Sequence, residues 1–496
     1  MRCYHPSLAE SNPKYLLLSS YKSANTPWAD SLPFIFINQY NTPSNSVIMT
    51  AYDPINNGGD GGGRQMVIQI SQSTTRPRLV KKIEERNPLI ITPSNANSKQ
   101  QQRRLVSLDV FRGITVSLMI LVDDAGGFLP AINHSPWNGV TLADFVMPFF
   151  LFIAGVSLAL TYKKLSCRAV ATKNAISRAL KLLILGVFLQ GGFFHRLNDL
   201  TYGVDIEQIR WTGVLQRIAI AYIVAALCEI WLKDDDHVSS KLSLLKKYRF
   251  QWVVALVLTS TYFSLLYGLY VPDWEYKHPI ETSSSAPSIF SVKCGVRGNT
   301  GPACNAVGMI DRKILGIQHL YRRPIYARTK QCSTNSPDYG PLPPGAPSWC
   351  QAPFDPEGLL SSVMAIVTCL VGLHYGHLII HFKDHKDRIL TCTISSSCLL
   401  CSGLALDFFG MHVNKALYTF SYMGVTAGAA GILFTGIYFM VDVSGYRRST
   451  LVFEWIGLHA LVIYILAACH VLPVVLQGFY WRHPKNNILR LIGIGK

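Results

Sequence analysis

Residues 358–381 read GLLSSVMAIVTCLVGLHYGHLIIH, an apolar stretch that contains no Asp, Glu, Lys or Arg. A bilayer core is about 30 Å thick, and a helix needs about 20 apolar residues to cross it. Lipid offers no hydrogen-bond partner for backbone N–H and C=O groups, so a crossing segment must satisfy them within a helix. The stretch is therefore typical of a membrane-spanning helix.

Similar apolar stretches recur on both sides of this one. They predict an all-α fold, a polytopic transmembrane helical bundle of about ten spans, of which the last begins near Asn487 and is cut short at Lys496. The composition agrees with this prediction. Of the 496 residues, 49% are hydrophobic and only 15% are charged, so the chain has too few polar residues to cover the surface of soluble domains of that total size. The complete predicted spans cover residues 105–123, 141–161, 179–195, 213–232, 251–271, 358–381, 389–410, 416–441 and 451–472.

The net charge of +17 is distributed in a way that favours membrane orientation over nucleic-acid binding. Every second connection between spans is basic, as in residues 163–178 and 383–388, whereas residues 124–140 contain no Lys or Arg. By the positive-inside rule the basic loops and the N-terminus are cytoplasmic. The loop at 124–140 is then predicted to lie outside the cytosol.

Two segments differ from the spans. Residues 1–102 are rich in Ser, Asn, Pro, Gly and Gln and are expected to form a disordered cytoplasmic tail, which leaves 103–496 as the transmembrane domain. An insertion at 272–357, rich in Pro and Gly, is expected to be a loop-rich cap outside the cytosol. Its four cysteines permit two disulfides, with three pairings open. They are Cys294, Cys304, Cys332 and Cys350.

His134 and Asp123 are the first candidates for chemistry. Histidine exchanges a proton near neutral pH, and a neighbouring carboxylate can orient its ring and raise its basicity. The two residues stand at opposite ends of a short loop, so they are able to meet. The alternative is that His134 is a solvated surface residue.

Asp144 and Arg217 lie inside predicted spans, where a charged group usually faces a cavity or a partner. They are predicted either to form a buried structural ion pair or, together with Asn138, to line a substrate site. In a transporter, the rival class of protein, the same two residues would couple to protons or substrate. No metal-ligand spacing is present, so no metal is predicted.

Six short motifs together resemble the heparan-alpha-glucosaminide N-acetyltransferase family, particularly its plant-type members. The resemblance covers about residues 105–496, and the motifs follow one another in the family's order. The motifs are SLDVFRG at 107–113, HSPWNG at 134–139, ADFVMP at 143–148, GVLQR at 213–217, GPACN at 301–305 and DPEGLL at 355–360.

The resemblance implies a multi-pass acyltransferase that carries acetyl groups from cytosolic acetyl-CoA to a luminal acceptor, which is an amino sugar or another glycan. The active-site histidine of the family falls on His134, acting as a base or as a nucleophile that carries acetyl. Two positions depart from the family pattern, since Asp123 and His459 stand where the family has Asn. A lysosome-like, vacuolar or other endomembrane location also follows from the resemblance alone.

The leading hypothesis is thus a membrane acetyltransferase with His134 as its reactive group and Asp123 as the orienting partner. Asn138, Asp144 and Arg217 are expected to line the substrate site. The expected partners are membrane lipid, acetyl-CoA and the acceptor, with no nucleic acid and with a homo-oligomer left open. A transporter or permease and an inactive homologue are the alternatives.

Overall fold

The protein is described here by a computed structural model, in which residues 105–125, 132–164, 167–191, 193–194, 202–203, 206–207, 209–233, 241–278 and 288–469 are placed. The predicted tail at 1–102 and the last span near Asn487 lie outside these residues. The described helices are α1 Val106–Ala125, α2 Leu142–Thr161, α3 Arg168–Gly191, α4 Val214–Trp231, α5 Lys241–Lys247, α6 Arg249–Gly268, α7 Ala306–Leu315, α8 Leu359–His381, α9 His385–Phe408, α10 Phe420–Tyr438, α11 Leu451–Leu458 and α12 Ala460–Ala468.

The mostly helical fold agrees with the prediction, whereas the number of spans does not. Within the described residues, six helices are long and apolar enough to cross a membrane, namely α2, α4, α6, α8, α9 and the continuous stretch Phe420–Val443 that contains α10. Helices α11 and α12 add a seventh span if the pair, bent by 67°, is taken as one. Helices α1 and α3 occupy two predicted spans, but each carries four charged residues. The expected ten spans are therefore not confirmed, although a multi-pass membrane protein is.

Helices α2 and α8 form the centre of the bundle and touch through their backbones. A Cβ atom on Gly155 would lie 2.0 Å from the carbonyl oxygen of Cys369, and one on Gly372 would lie 2.1 Å from that of Phe152. Only glycine permits so close an approach, which is common where helices pack in membranes. Helix α8, which occupies the predicted span at residues 358–381, is buried along most of its length.

Helices α6 and α9 lie at the periphery and expose most of their apolar side chains. Leu256 and Val257 of α6 and Leu390, Ile394 and Leu404 of α9 are all exposed. Apolar side chains on the outside of a helical bundle are suited to contact with lipid tails rather than water. The periphery therefore fits the expected membrane environment.

The insertion between α6 and α8 contains short strands, α7 and two disulfides. The disulfides join Cys294 to Cys304 and Cys332 to Cys350, which selects one of the three pairings that the sequence left open. The strands of the described chain form two-stranded antiparallel sheets, pairing β1 Phe193–Phe194 with β2 Tyr202–Gly203, β3 Tyr270–Val271 with β6 Val296–Arg297, and β4 Trp274–His278 with β5 Ser288–Val292.

The insertion is attached to the bundle at the beginning of α8. Helix α7 begins at Asn305, whose side chain accepts a hydrogen bond from the backbone N–H of Gly308 at 2.7 Å, a standard N-cap. From the same helix, Asp311 accepts a hydrogen bond from the backbone N–H of Leu359 at 2.8 Å. Because Leu359 is the first residue of α8, this contact ties the insertion to the central helix.

Candidate active site

Asp144 organises the loop that carries His134. It lies in the first turn of α2, where a carboxylate accepts hydrogen bonds from backbone N–H groups that have no partner within the helix. Its Oδ2 accepts from the backbone N–H groups of Ser135 and Thr141, each at 3.1 Å, and from the Thr141 hydroxyl at 3.1 Å. The loop therefore folds back over the beginning of α2, with His134 held beside the carboxylate.

The other oxygen of the same carboxylate contacts the imidazole. Asp144 Oδ1 lies 2.8 Å from Nδ1 of His134. A carboxylate only accepts hydrogen bonds, so this contact assigns the ring hydrogen to Nδ1 and leaves a lone pair on Nε2. The His134 side chain is 33% exposed, whereas that of Asp144 is 1% exposed. The arrangement gives a ring that is oriented from within the protein and open to a ligand.

Lys415, from the loop between α9 and α10, completes the surroundings of the ring. Its Nζ lies 2.9 Å from Nδ1 and 3.3 Å from Nε2 of His134, and 3.5 Å from Asp144 Oδ1. Burial lowers the pKa of His134 below its ordinary 6.5, and the positive charge of Lys415 lowers it further, against the opposing effect of Asp144. At neutral pH the ring is therefore uncharged, the form that can accept a proton or attack a carbonyl carbon.

Asn138 joins the His134 loop to the Lys415 loop. Its side-chain oxygen accepts a hydrogen bond from the amide of Asn414 at 3.2 Å, and the backbone N–H of Gly139 donates to the carbonyl of Val413 at 2.8 Å. These contacts position Lys415, the residue that follows Asn414, against the ring. Asn138 thus has a positioning role, and its contact with a substrate stays a prediction.

Arg217 contacts the beginning of α8 and not the carboxylate of Asp144. The side chain is buried, and it donates to the carbonyl of Pro356 at 2.7 Å and to the hydroxyl of Ser361. Among the described residues, the ion pairs of Asp144 are with His134 and Lys415, so the predicted Asp144–Arg217 pair is not formed. A direct role of Arg217 in substrate binding stays a prediction.

A second arginine, Arg210, binds two carboxylates of the same segment. It contacts both oxygens of Asp355 at 2.6 Å and also pairs with Glu357. Although burial opposes ionisation of Glu357, the charges of Arg210, Arg217 and Lys415 lower its pKa to about 2. Glu357 is therefore an anion close enough to act electrostatically on Lys415 and His134.

The structure gives the His134 ring a carboxylate partner that the sequence did not single out for this role, and the orienting role of Asp123 stays a prediction. The carboxylate that contacts the ring is Asp144, because the loop folds back on the first turn of α2 rather than on the end of α1. Asp123 is exposed near the end of α1 and lies within electrostatic range of Tyr464 in α12. A catalytic role for it at the edge of the site stays a prediction.

Sequence reasoning missed Lys415 and Asn414, because both lie about 280 positions from His134 and between two long apolar stretches. The only available signal was that a lysine interrupts a loop that the charge rule places outside the cytosol. Asp355 and Glu357 were visible within the DPEGLL motif, but no role was predicted for them.

Comparisons with known proteins agree with the motifs. The family profile described as heparan-alpha-glucosaminide N-acetyltransferase, catalytic, matches residues 104–264. The heparan-alpha-glucosaminide N-acetyltransferase of Mus musculus is 27% identical over 400 residues, which cover 76% of this chain and 55% of the mouse protein. That of Homo sapiens is 28% identical over 383 residues, covering 73% of this chain and 52% of the human protein.

The chain thus spans about half the length of the curated relatives that it matches. The matched profile includes both His134 and Asp144, the pair at the centre of the site, as well as Arg217. The resemblance predicted from the motifs is confirmed: this chain is related to the heparan-alpha-glucosaminide N-acetyltransferase family of acyltransferases.

Proposed function

We propose that the chain is a membrane acetyltransferase that moves acetyl from cytosolic acetyl-CoA to an amino sugar or another glycan acceptor on the opposite side of the membrane. The observation that carries the proposal is the hydrogen bond between His134 and Asp144, which orients a neutral, partly exposed imidazole at one end of the bundle. The names of the mouse and human relatives supply the reaction class.

The pair supports two versions of the reaction. In the first, Nε2 of His134 removes a proton from the acceptor amine, which attacks the acetyl carbonyl carbon as the C–S bond to CoA breaks. In the second, Nε2 itself attacks the acetyl carbonyl carbon, CoA leaves as its thiolate when the C–S bond breaks, and the acetylimidazolium then passes acetyl to the amine. In both versions the ring gains positive charge, and the carboxylate of Asp144 at Nδ1 stabilises it.

The distribution of charge supports the proposed sides of the membrane. The segments that meet at the site, 132–141, 355–358 and 411–419, connect predicted spans on the side that the positive-inside rule assigns outside the cytosol. The basic loops lie on the other side, with Lys383 and Lys386 before and within the start of α9. We therefore propose that the acceptor binds at the His134 end, in a lysosome-like or vacuolar lumen.

Transfer of labelled acetyl tests the proposal directly. Membranes containing the wild-type chain are incubated with radiolabelled acetyl-CoA and glucosamine, and acetylated glucosamine is counted. We expect transfer by the wild type and a loss of at least about 100-fold in His134→Ala, since general acid–base groups contribute roughly 10²–10⁴-fold.

His385→Ala is the matched control, because His385 is an exposed histidine at the start of α9 that bonds Tyr438 away from the site. It should retain wild-type transfer at equal protein level. Transfer by His134→Ala at the wild-type rate would contradict the role of His134. Uptake of glucosamine without acetylation would instead favour a transporter.

A further inference from the structure

The ammonium group of Lys415 stands where the amine of an acceptor must stand to react. Its Nζ lies 2.9 Å from Nδ1 and 3.3 Å from Nε2 of His134, within hydrogen-bond distance of both ring nitrogens, including the one that carries the lone pair. Groups held about 3–3.5 Å apart in a fixed orientation react as if at very high local concentration. The Lys415 side chain is 13% exposed, so few solvent molecules compete for this position.

Lys415 is also held in place by the protein. Asp144 lies 3.5 Å from its Nζ, and the Asn138–Asn414 contact positions the backbone immediately before it. Other lysines on the same predicted side of the membrane differ in this respect. Lys330 of the insertion, for example, is exposed, and no acid or histidine contact places it near the ring.

We propose that Lys415 is a modification site, at which the protein acetylates itself when no acceptor occupies the His134 site. The inference rests on the proposed function, since acetyl-CoA must reach His134. The Lys415 ammonium gives one proton to Nε2, and the resulting amine forms a C–N bond to the acetyl carbon while the C–S bond breaks. His134 gives that proton to the departing sulfur, which leaves as CoA thiol, and the second proton of the former ammonium then passes through the freed Nε2 to water.

The product would be an uncharged amide in place of a cation. Acetylation removes the positive charge and fills the space beside the ring, so Asp144 loses the cation that lies 3.5 Å from its Oδ1. The modified protein should therefore transfer acetyl to an external acceptor more slowly than the unmodified protein. The rate of acetyl transfer would thus be lowered whenever acetyl-CoA is abundant and acceptor is scarce.

Peptide mass spectrometry tests the proposal. The purified full chain is incubated with acetyl-CoA carrying a deuterated acetyl group, without acceptor, and label is compared at Lys415 and Lys330. We expect at least about tenfold more label at Lys415, because proximity to the base should exceed the effect of simple exposure. Label at Lys415 should fall when glucosamine is added and should disappear in His134→Ala and His134→Gln.

The outcomes separate this inference from the proposed function. Transfer to glucosamine with no more label at Lys415 than at Lys330 would overturn the self-acetylation and leave the acetyltransferase intact. Label at Lys415 that persists in both folded His134 variants would overturn the role of His134 in it. Absence of both label and transfer would overturn both proposals.

Discussion

The bundle contains two histidine–carboxylate pairs with the same separation. His134 Nδ1 lies 2.8 Å from Asp144, and His377 Nε2 lies 2.8 Å from Glu229. The second pair joins α4 and α8 toward the ends that are remote from His134. Sixteen residues of α8 separate His377 from Ser361, which at 1.5 Å per residue is about 24 Å.

The surroundings of the two pairs differ. The side chains of His377 and Glu229 are each 1% exposed, and the Tyr248 ring stacks on the His377 ring with centroids 3.6 Å apart. Gln251 and Lys233 donate further hydrogen bonds to Glu229. His134, in contrast, is partly exposed and lies on a loop rather than within a span.

The difference shows that the distance between a histidine and a carboxylate does not identify an active site. What distinguishes His134 is that its side chain is partly exposed, whereas His377 is enclosed by its neighbours. We therefore assign chemistry to the first pair and structure to the second. Ionisable groups within spans are often functional, so this assignment needs a direct test.

The largest expected effect comes from neutralising the carboxylate of each pair. Asp144→Asn should lower acetyl transfer by about 10²–10⁴-fold, because the amide cannot stabilise a positively charged His134. Glu229→Gln should leave transfer within about threefold but lower the thermal stability in detergent, since unpairing a buried group costs about 1–3 kcal/mol. Initial rates measure the acetyl transfer of each variant, and melting curves in detergent measure its thermal stability. Loss of activity in Glu229→Gln at an unchanged melting temperature would remove the distinction between the pairs.

A smaller effect concerns the pH dependence of His134. Transfer requires the neutral ring, and because the pKa of His134 is lowered, activity should persist at pH 6.5 and fall only as the pH drops through the lowered pKa. Lys415→Met removes a nearby cation, so the pKa of His134 should rise and the acid limb of the rate profile should move to higher pH. The rate profile between about pH 4.5 and 8 measures this shift. Lys330→Met, the matched control, should leave the limb in place.

Asp123→Asn should change activity less than Asp144→Asn does. The substitution supplies the amide that the family resemblance implies at this position, and it does not alter the contact between Asp144 and the ring. We expect a change in kcat/KM of less than about tenfold, which is typical of a group at the edge of a site rather than of its general base. A loss as large as that of Asp144→Asn, measured in the same membranes, would restore Asp123 to the centre of the mechanism.

The smallest effect is expected at Asp311, another buried carboxylate at the His134 end. Burial raises its pKa to about 7, so the folded protein binds a proton there that the unfolded chain releases at lower pH. The charged carboxylate therefore lowers the stability of the folded protein above about pH 7. Protonation of Asp311 as the pH falls through 7 removes this destabilisation. Asp311→Asn should raise the melting temperature by a few degrees at about pH 8 and by less at about pH 5. An equal change at both values would show that Asp311 does not titrate as expected.

The helices were largely predictable from the sequence, because apolar stretches such as residues 358–381 have few alternatives to a helix in a bilayer. The number of membrane crossings was not, since α1 and α3 combine apolar and charged residues, and α11 and α12 bend at His459. Cysteine count indicated disulfides without indicating which residues pair.

The site was only partly predictable. His134, Asn138 and Asp144 come together because they share one loop and the helix that follows it. Choosing between Asp123 and Asp144 required the path of that loop, because both carboxylates are near His134 along the chain. Lys415 enters through a contact across 281 positions, and a lone lysine in a short loop does not indicate which distant residue it contacts.

That separation has a consequence for biosynthesis. A ribosome makes the His134–Asp144 pair early, but Asn414 and Lys415 emerge only after α9 has been made, so no intermediate-length nascent chain contains the complete site. The insertion and its disulfides come between the two halves. Protein synthesis therefore delivers the His134–Asp144 pair first and its cationic neighbour last, and a transcript that stops before codon 414 would encode a membrane protein without Asn414 and Lys415 beside that pair.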